Sequence, residues 1–209
     1  MVSAMCKPDS RDFASRLSRA KCADDRHRHA LLESYRNYLM LLASIRSDRK
    51  LRSKLGDSDL VQETLIQANR DFHQFRGASE AELTGWLRAV MTNKKALLAR
   101  RYYGTEARDP RLEEHLQDEI DKSSQQLDRA FVSGGASPSH VAAGRERAVL
   151  LADALAALPE HYREVVVLHH VQGYTLPEVA KAMDRSVDSV KKLWARAMVQ
   201  LRTSLKRLN

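Results

Sequence analysis

Glycine and proline are scarce in this chain, at 8 and 5 of its 209 residues, and charge is dense at 30%. That combination favours an all-helical protein. Only two cysteines are present, Cys6 and Cys22, both near the N-terminus. Two thiols make neither a disulfide framework nor a zinc site, so a reducing cytoplasm is the expected compartment. Lys7, Asp9, Arg11 and Asp12 interrupt any signal peptide, and no apolar run reaches membrane-spanning length. The eight histidines supply no Glu-x-x-His pair of the kind that helical metal-carboxylate enzymes carry. No phosphate-binding glycine loop, nucleophile elbow or paired cysteine motif occurs, so neither catalysis nor a metal or other cofactor is expected.

What the chain has in excess is positive charge. The net charge is +8 and the sequence pI about 9.7. That favours a polyanionic partner, nucleic acid before membrane. Hydrophobic residues make up 43%, enough for modest cores.

Gly173 to Arg202 is the most informative stretch, and it reads as a helix-turn-helix. Thr175 is placed to cap a first helix, with Glu178 three residues on, which is the capping-box spacing. Leu176, Val179, Ala180 and Met183 keep an apolar face. The turn falls at Met183–Asp184–Arg185, where Asp184 takes the left-handed position that glycine usually fills. Ser186 then caps a second helix whose buried face is Val190, Trp194, Ala197 and Leu201. The opposite face carries Asp188, Ser189, Lys191, Lys192, Ala195 and Arg196. Short residues near the helix start suit approach to base edges, and long cations suit phosphates. From Arg185 onward seven Lys/Arg stand against one acid, Asp188. A solvated amphipathic helix is the plain alternative.

Upstream, residues 1–26 are polar and weakly periodic, and a mobile arm is expected there. From His27 a helical stripe runs through Leu31, Tyr35, Tyr38, Leu39, Leu42 and Ile45. A charged helix is expected over Arg46 to Leu55, stopped by Gly56. A helix opened by Asp57 and Asp59 buries Leu60 or Val61, Leu65, Ala68 and Phe72, and leaves Gln62, Glu63, Ile66, Gln67 and Arg70 outside. Phe75 to Ser79 reads as a loop. Glu80 to Tyr103 reads as a long helix with Leu83, Trp86, Leu87, Val90 and Leu97 in its core. Residues 105–144 change character: Glu106 to Arg129 holds eight acids and four bases, and Ser133 to Ser139 is a flexible link. From Arg145, Val149, Leu150, Ala154 and Leu158 line one helix, and Pro159 starts the next, His161 to His170.

Two separated blocks resemble one family. Asp57 to Asn93, DSDLVQETLIQANRDFHQFRGASEAELTGWLRAVMTN, is similar to region two of bacterial RNA polymerase sigma factors of the extracytoplasmic-function group. Leu158 to Arg202, LPEHYREVVVLHHVQGYTLPEVAKAMDRSVDSVKKLWARAMVQLR, is similar to region four. The resemblance implies an all-α chain of two small helical domains: a region-two domain over 27–104 and a region-four domain over 145–209, joined by an acidic flexible linker over 105–144. There is no room for the further domain of larger sigma factors.

The resemblance also implies the partners, core RNA polymerase and promoter DNA, and leaves control by an anti-sigma factor open. The positions matching the polymerase-binding face are Asp59, Gln62, Glu63 and Gln67. Those matching the part that melts and reads the −10 element are Phe75, Arg76, Gly77, Ser79, Asn93 and Lys94, with Lys95 and Arg101 beside the backbone. Trp86 is either core or a wall against melted duplex. Capture of an unstacked base needs a small pocket, apolar walls and backbone amides. The positions matching −35 recognition are Ser186, Asp188, Ser189, Lys191, Lys192, Ala195 and Arg196. In the family the linker threads the RNA exit path, where acids mimic RNA; a merely soluble tether is the alternative. Asp184 stands where the family commonly has glycine, and Leu193 and Trp194 are bulkier than common choices, which puts the angle and depth of the second helix in question. A stand-alone helix-turn-helix regulator is the competing function, weakened by the lack of a strand-rich receiver unit.

Overall fold

A computed structural model of the chain describes residues 13–22, 25–44, 56–103, 118, 120–122 and 148–208. No strand occurs among the described residues. The helices are α1 (Phe13–Cys22), α2 (Asp25–Glu33), α3 (Arg36–Ser44), α4 (Asp57–Asp71), α5 (Glu80–Tyr103), α6 (148–156), α7 (Glu160–Val166), α8 (Leu176–Ala182) and α9 (Val187–Leu208). No helix among them is long and apolar enough to cross a membrane.

In the N-terminal bundle α1 packs on α2, both α2 and α3 pack on α4, and α4 packs on α5. The apolar spacing dictates this. Leu31, Tyr35, Tyr38, Leu39 and Leu42 all point inward, and so do Leu60, Val61, Leu65, Ala68 and Phe72. Thr64 is buried on the same face and satisfies its hydroxyl by donating to the Leu60 carbonyl at 2.7 Å, so its burial leaves no donor unpaired.

Three expectations are corrected here. Part of the stretch expected to be a mobile arm is helix α1, because Leu17 and Ala20 supply one small apolar face that packs against α2. The stripe beginning at His27 is two helices, broken by a turn at Ser34–Tyr35. Leu97, expected in the core of α5, is 55% exposed. The seven-residue spacing of Leu83, Val90 and Leu97 drifts by about 20° per heptad around a straight helix, and the buried positions toward its C-terminal end become Met91, Thr92, Lys95 and Ala96. The helix expected over residues 46–55 and the glycine-serine link at 133–139 lie outside the described residues.

One piece of the acidic segment docks on this bundle. Ile120 is buried, and the Asp121 carboxylate lies 3.2 Å from Nε of Arg88. Arg88, itself 9% exposed, also donates to the Tyr38 hydroxyl at 3.2 Å. Asp121 therefore neutralises a buried guanidinium, a different use of a linker acid from mimicry of RNA.

In the C-terminal half α7 and α8 both pack on α9. Pro159 occupies the position before α7, and α7 runs on into a π-helical turn, Val167–Val171. The two halves touch where Asn37 Nδ2 donates to Asp153 Oδ1 at 2.9 Å and Gln172 Nε2 to the Ser44 carbonyl at 3.5 Å. A cleft lies between α3 and the α6–α7 face, lined by Met40, Leu155 and Arg163 among others. This contact leaves the polar faces of α4 and α9 exposed.

Candidate nucleic-acid interface

The helix-turn-helix is fixed by hydrogen bonds within a few residues of one another. Thr175 Oγ1 accepts from the Glu178 amide at 3.4 Å, while Glu178 Oε2 accepts from the Thr175 amide at 2.8 Å and its hydroxyl at 2.7 Å. The hydroxyl, then the amide, hold the Glu178 carboxyl below its ordinary pKa. Both halves of the capping box are thus present. At the other end of α8, Asp184 has φ +52°. The Arg185 amide reaches the Ala180 carbonyl at 2.9 Å and the Asp184 amide that of Lys181 at 3.4 Å. This is the paired closure of a Schellman turn with aspartate in the place usual for glycine, so the turn between α8 and α9 closes without glycine. Ser186 Oγ then accepts from the Ser189 amide at 3.2 Å and starts α9.

Along α9 Val190, Ala197 and Leu201 are buried. Asp188, Lys191, Lys192, Ala195 and Arg196 are exposed, as is Ser186, while Ser189 is half-buried. Positions 188, 191, 192, 195 and 196 follow the one-face helical repeat, so they form a single stripe. Leu193 and Trp194 lie off it and pack inward against the core. The bulk of Trp194 is absorbed at the π-helical turn. Its indole N–H donates to His170 Nε2 at 2.9 Å, with the rings stacked at 26°. That bond requires an unprotonated Nε2. Burial, and next the neighbouring His169, hold the His170 pKa below its ordinary value. His169 Nδ1 in turn lies 2.7 Å from the Tyr174 carbonyl.

The loop from Phe75 to Ser79 is built differently. Phe75 is buried, its ring 5.9 Å from Phe72 and 5.4 Å from Trp86. Trp86 is half-buried and meets Phe72 edge-on at 6.1 Å. Both rings support the loop from beneath. Gly77 lies hard against that floor: a Cβ there would sit 2.5 Å from Phe75 Cζ and 2.8 Å from Glu82 Cβ. Glu82 Oε2 accepts from the Ala78 amide, the Ser79 amide and Ser79 Oγ at 2.9, 2.9 and 2.7 Å. The Ser79 hydroxyl, then the two amides, lower the Glu82 pKa. With Ser79 Oγ accepting from the Glu82 amide at 3.2 Å, this is a second capping box, at the start of α5. The pattern Ser-x-x-Glu was visible in the sequence and passed unread. It also occupies the loop amides that were expected to face a base.

Of the remaining residues expected near the −10 strand, Arg76 and Asn93 are exposed, and Lys94 is partly covered, its Nζ 3.4 Å from the Glu63 carboxylate. Arg101 lies in the last turn of α5. Lys95 is 4% exposed and sits on the buried Met91–Thr92–Ala96 face. Asp59, Gln62 and Glu63 are exposed on α4, and Gln67, half-buried, donates to Asp71 at 2.7 Å. Ile66, 41% exposed, adds an apolar spot to the same stripe.

One contact had no local sequence signal. Lys21, in the last turn of α1, donates from Nζ to the Gly77 carbonyl at 2.7 Å and lies 5.3 Å from the centre of the Phe75 ring.

Residues 148–201 match the family Sigma-70, region 4. The chain is also 25% identical over 150 residues to the ECF RNA polymerase sigma-E factor of Haemophilus influenzae, an overlap covering 72% of this chain and 75% of that protein. An overlap of that length reaches beyond the helix-turn-helix, and the all-helical arrangement agrees with it. A sigma-70 region 4 match over the helices that place a basic stripe on the exposed face of α9, together with the likeness over most of the chain, makes this protein similar to the ECF sigma factors.

Proposed function

We propose that this chain binds core RNA polymerase through the α4 stripe of Asp59, Gln62, Glu63 and Gln67, and brings it to promoters with two separated elements. Residues 27–104 then act as the polymerase- and −10-binding unit and residues 145–209 as the −35-binding unit. The stripe of Lys191, Lys192, Ala195 and Arg196 enters the major groove of the −35 duplex. The loop at Arg76–Ser79, with Asn93 and Lys94, takes the melted −10 strand. Asp188 either accepts from a cytosine amino group or stays with the amides of its own helix start.

The observation that carries this reading is the exposed stripe on α9, held at a fixed angle by two caps and a closed left-handed turn. A side chain reaching base edges is useful only when its helix is rigid, because the discrimination of one good contact is about 1–3 kcal/mol. The Ile66 spot within the polar α4 face supports the polymerase assignment, since interfaces combine an apolar centre with a polar rim.

The test is reconstitution with core polymerase from the same host, followed by sequencing of run-off transcripts from fragmented host DNA. A stoichiometric complex that starts at one shared two-part promoter is expected. Changing Lys191 and Arg196 together to alanine should lower transcription from it by about tenfold or more while polymerase binding stays intact. Changing Gln62 and Glu63 together to alanine should weaken assembly instead. If the chain binds duplex DNA alone and never joins polymerase, it is a free-standing regulator.

A further inference from the structure

The loop that the proposed function assigns to the −10 strand is held on three sides. Phe75 forms its floor, Glu82 takes up two of its amides, and its outward carbonyl, that of Gly77, is bound by Lys21 from a helix 56 residues away in sequence. Helix α1 is itself fixed, by Leu17 and Ala20 against α2 and by a bond from Arg16 Nη2 to Ser34 Oγ. Lys21 therefore reaches the loop from a fixed base. One ammonium serves both a backbone carbonyl and the π face of Phe75, so it fixes the peptide at Gly77 relative to the ring beneath it. Its charge also lies near Glu82, where it favours the carboxylate that grips the Ala78 and Ser79 amides.

We propose that Lys21 is a positioning residue for −10 recognition: it sets the shape of the 75–79 loop and through it the choice of base, without touching DNA itself. This rests on the proposed function of that loop. A loop that selects a base must hold its small pocket before the base arrives; a loop free to adjust accepts several bases with similar cost. Removing Lys21 leaves the Phe75 floor and the Glu82 cap in place but frees the Gly77 peptide, so the expected loss is of selectivity rather than of folding.

Two measurements test this on the full chain. In the first, holoenzymes carrying wild type, Lys21→Met or Lys21→Arg transcribe the promoter found by run-off sequencing and its single-base variants. Lys21→Met should narrow the preference for the natural −10 bases by ~3–10-fold, the span of one ordinary hydrogen bond. It should leave discrimination at −35 and polymerase binding unchanged, and Lys21→Arg should restore most of the −10 preference. Equal loss at both elements, or unchanged −10 preference, overturns the proposal. In the second, free protein with Trp194→Phe reports on Trp86 alone. Lys21→Met should make Trp86 fluorescence more open to acrylamide quenching, and Lys21→Arg should not; unchanged quenching means that Lys21 does not hold the loop. If wild type never initiates with polymerase, the function of the loop falls, while the quenching result still says whether Lys21 holds it.

Discussion

Helices α5 and α8 start with the same device, a hydroxyl three residues before a glutamate: Ser79 with Glu82, and Thr175 with Glu178. What surrounds the two caps is not alike. Around α8 every orienting contact is local. Tyr174 is bound by His169, Arg185 by Ala180, and Ser189 by Ser186. Around α5 the cap is shared with a distant helix through Lys21 and with an aromatic floor made by Phe72, Phe75 and Trp86. A unit that binds intact duplex needs a rigid helix at a fixed angle, which short-range bonds supply. A unit that takes unstacked bases needs a shaped loop, and a shaped loop is supported from outside its own sequence.

The contrast is sharpest at two glycines. Gly77→Ala forces a methyl into Phe75 and the Glu82 side chain, and overpacking of this kind costs about 1–3 kcal/mol. Gly173 has φ +76° and open space around its Cα, so Gly173→Ala meets only backbone strain, about 1 kcal/mol. Denaturant unfolding of both variants should show the larger fall in midpoint for Gly77→Ala, together with impaired promoter opening. Equal costs would mean that the loop yields as readily as the turn, and the contrast would fail.

Next in size are the caps. Ser79→Ala and Thr175→Ala should each cost about 1 kcal/mol in the same assay. The functional readouts should separate, with the first affecting the −10 step and the second duplex binding at −35. A shared functional defect would show that the two caps are not serving separate units.

The smallest effect is one of pH. The folded state holds the His170 pKa below 6.5, so near that pH it binds fewer protons than the unfolded chain. The stability from neutral His170 is present above 6.5 and is lost as pH falls below that value and through the lowered one. Protonation also removes the acceptor for Trp194, so Trp194 emission should change over the same range. His170→Phe should abolish the emission change. A pH-independent signal in wild type would place the proton elsewhere.

Much of the C-terminal half was legible in sequence because its determinants lie within five residues of one another. The Thr175–Glu178 box, the turn at Asp184, the Ser186 cap and the buried Val190–Ala197–Leu201 stripe all follow from local spacing. The N-terminal bundle was legible in its apolar stripes. It was misread where spacing loses phase, at Leu97 late in α5, and where a short helix is stable only against a neighbour, as with α1. Nine or ten residues are too few to hold a helix alone in water, so composition there suggested an arm.

The chain's own sequence determined its helices, its caps, its turn chemistry and the basic stripe of α9, because each depends on residues a turn or two apart. Tertiary structure alone decided that Lys21 meets Gly77, that Asp121 answers Arg88, and that Trp194 finds His170. Each of these joins residues far apart in the chain, and such a meeting is fixed by how whole helices pack rather than by any local pattern.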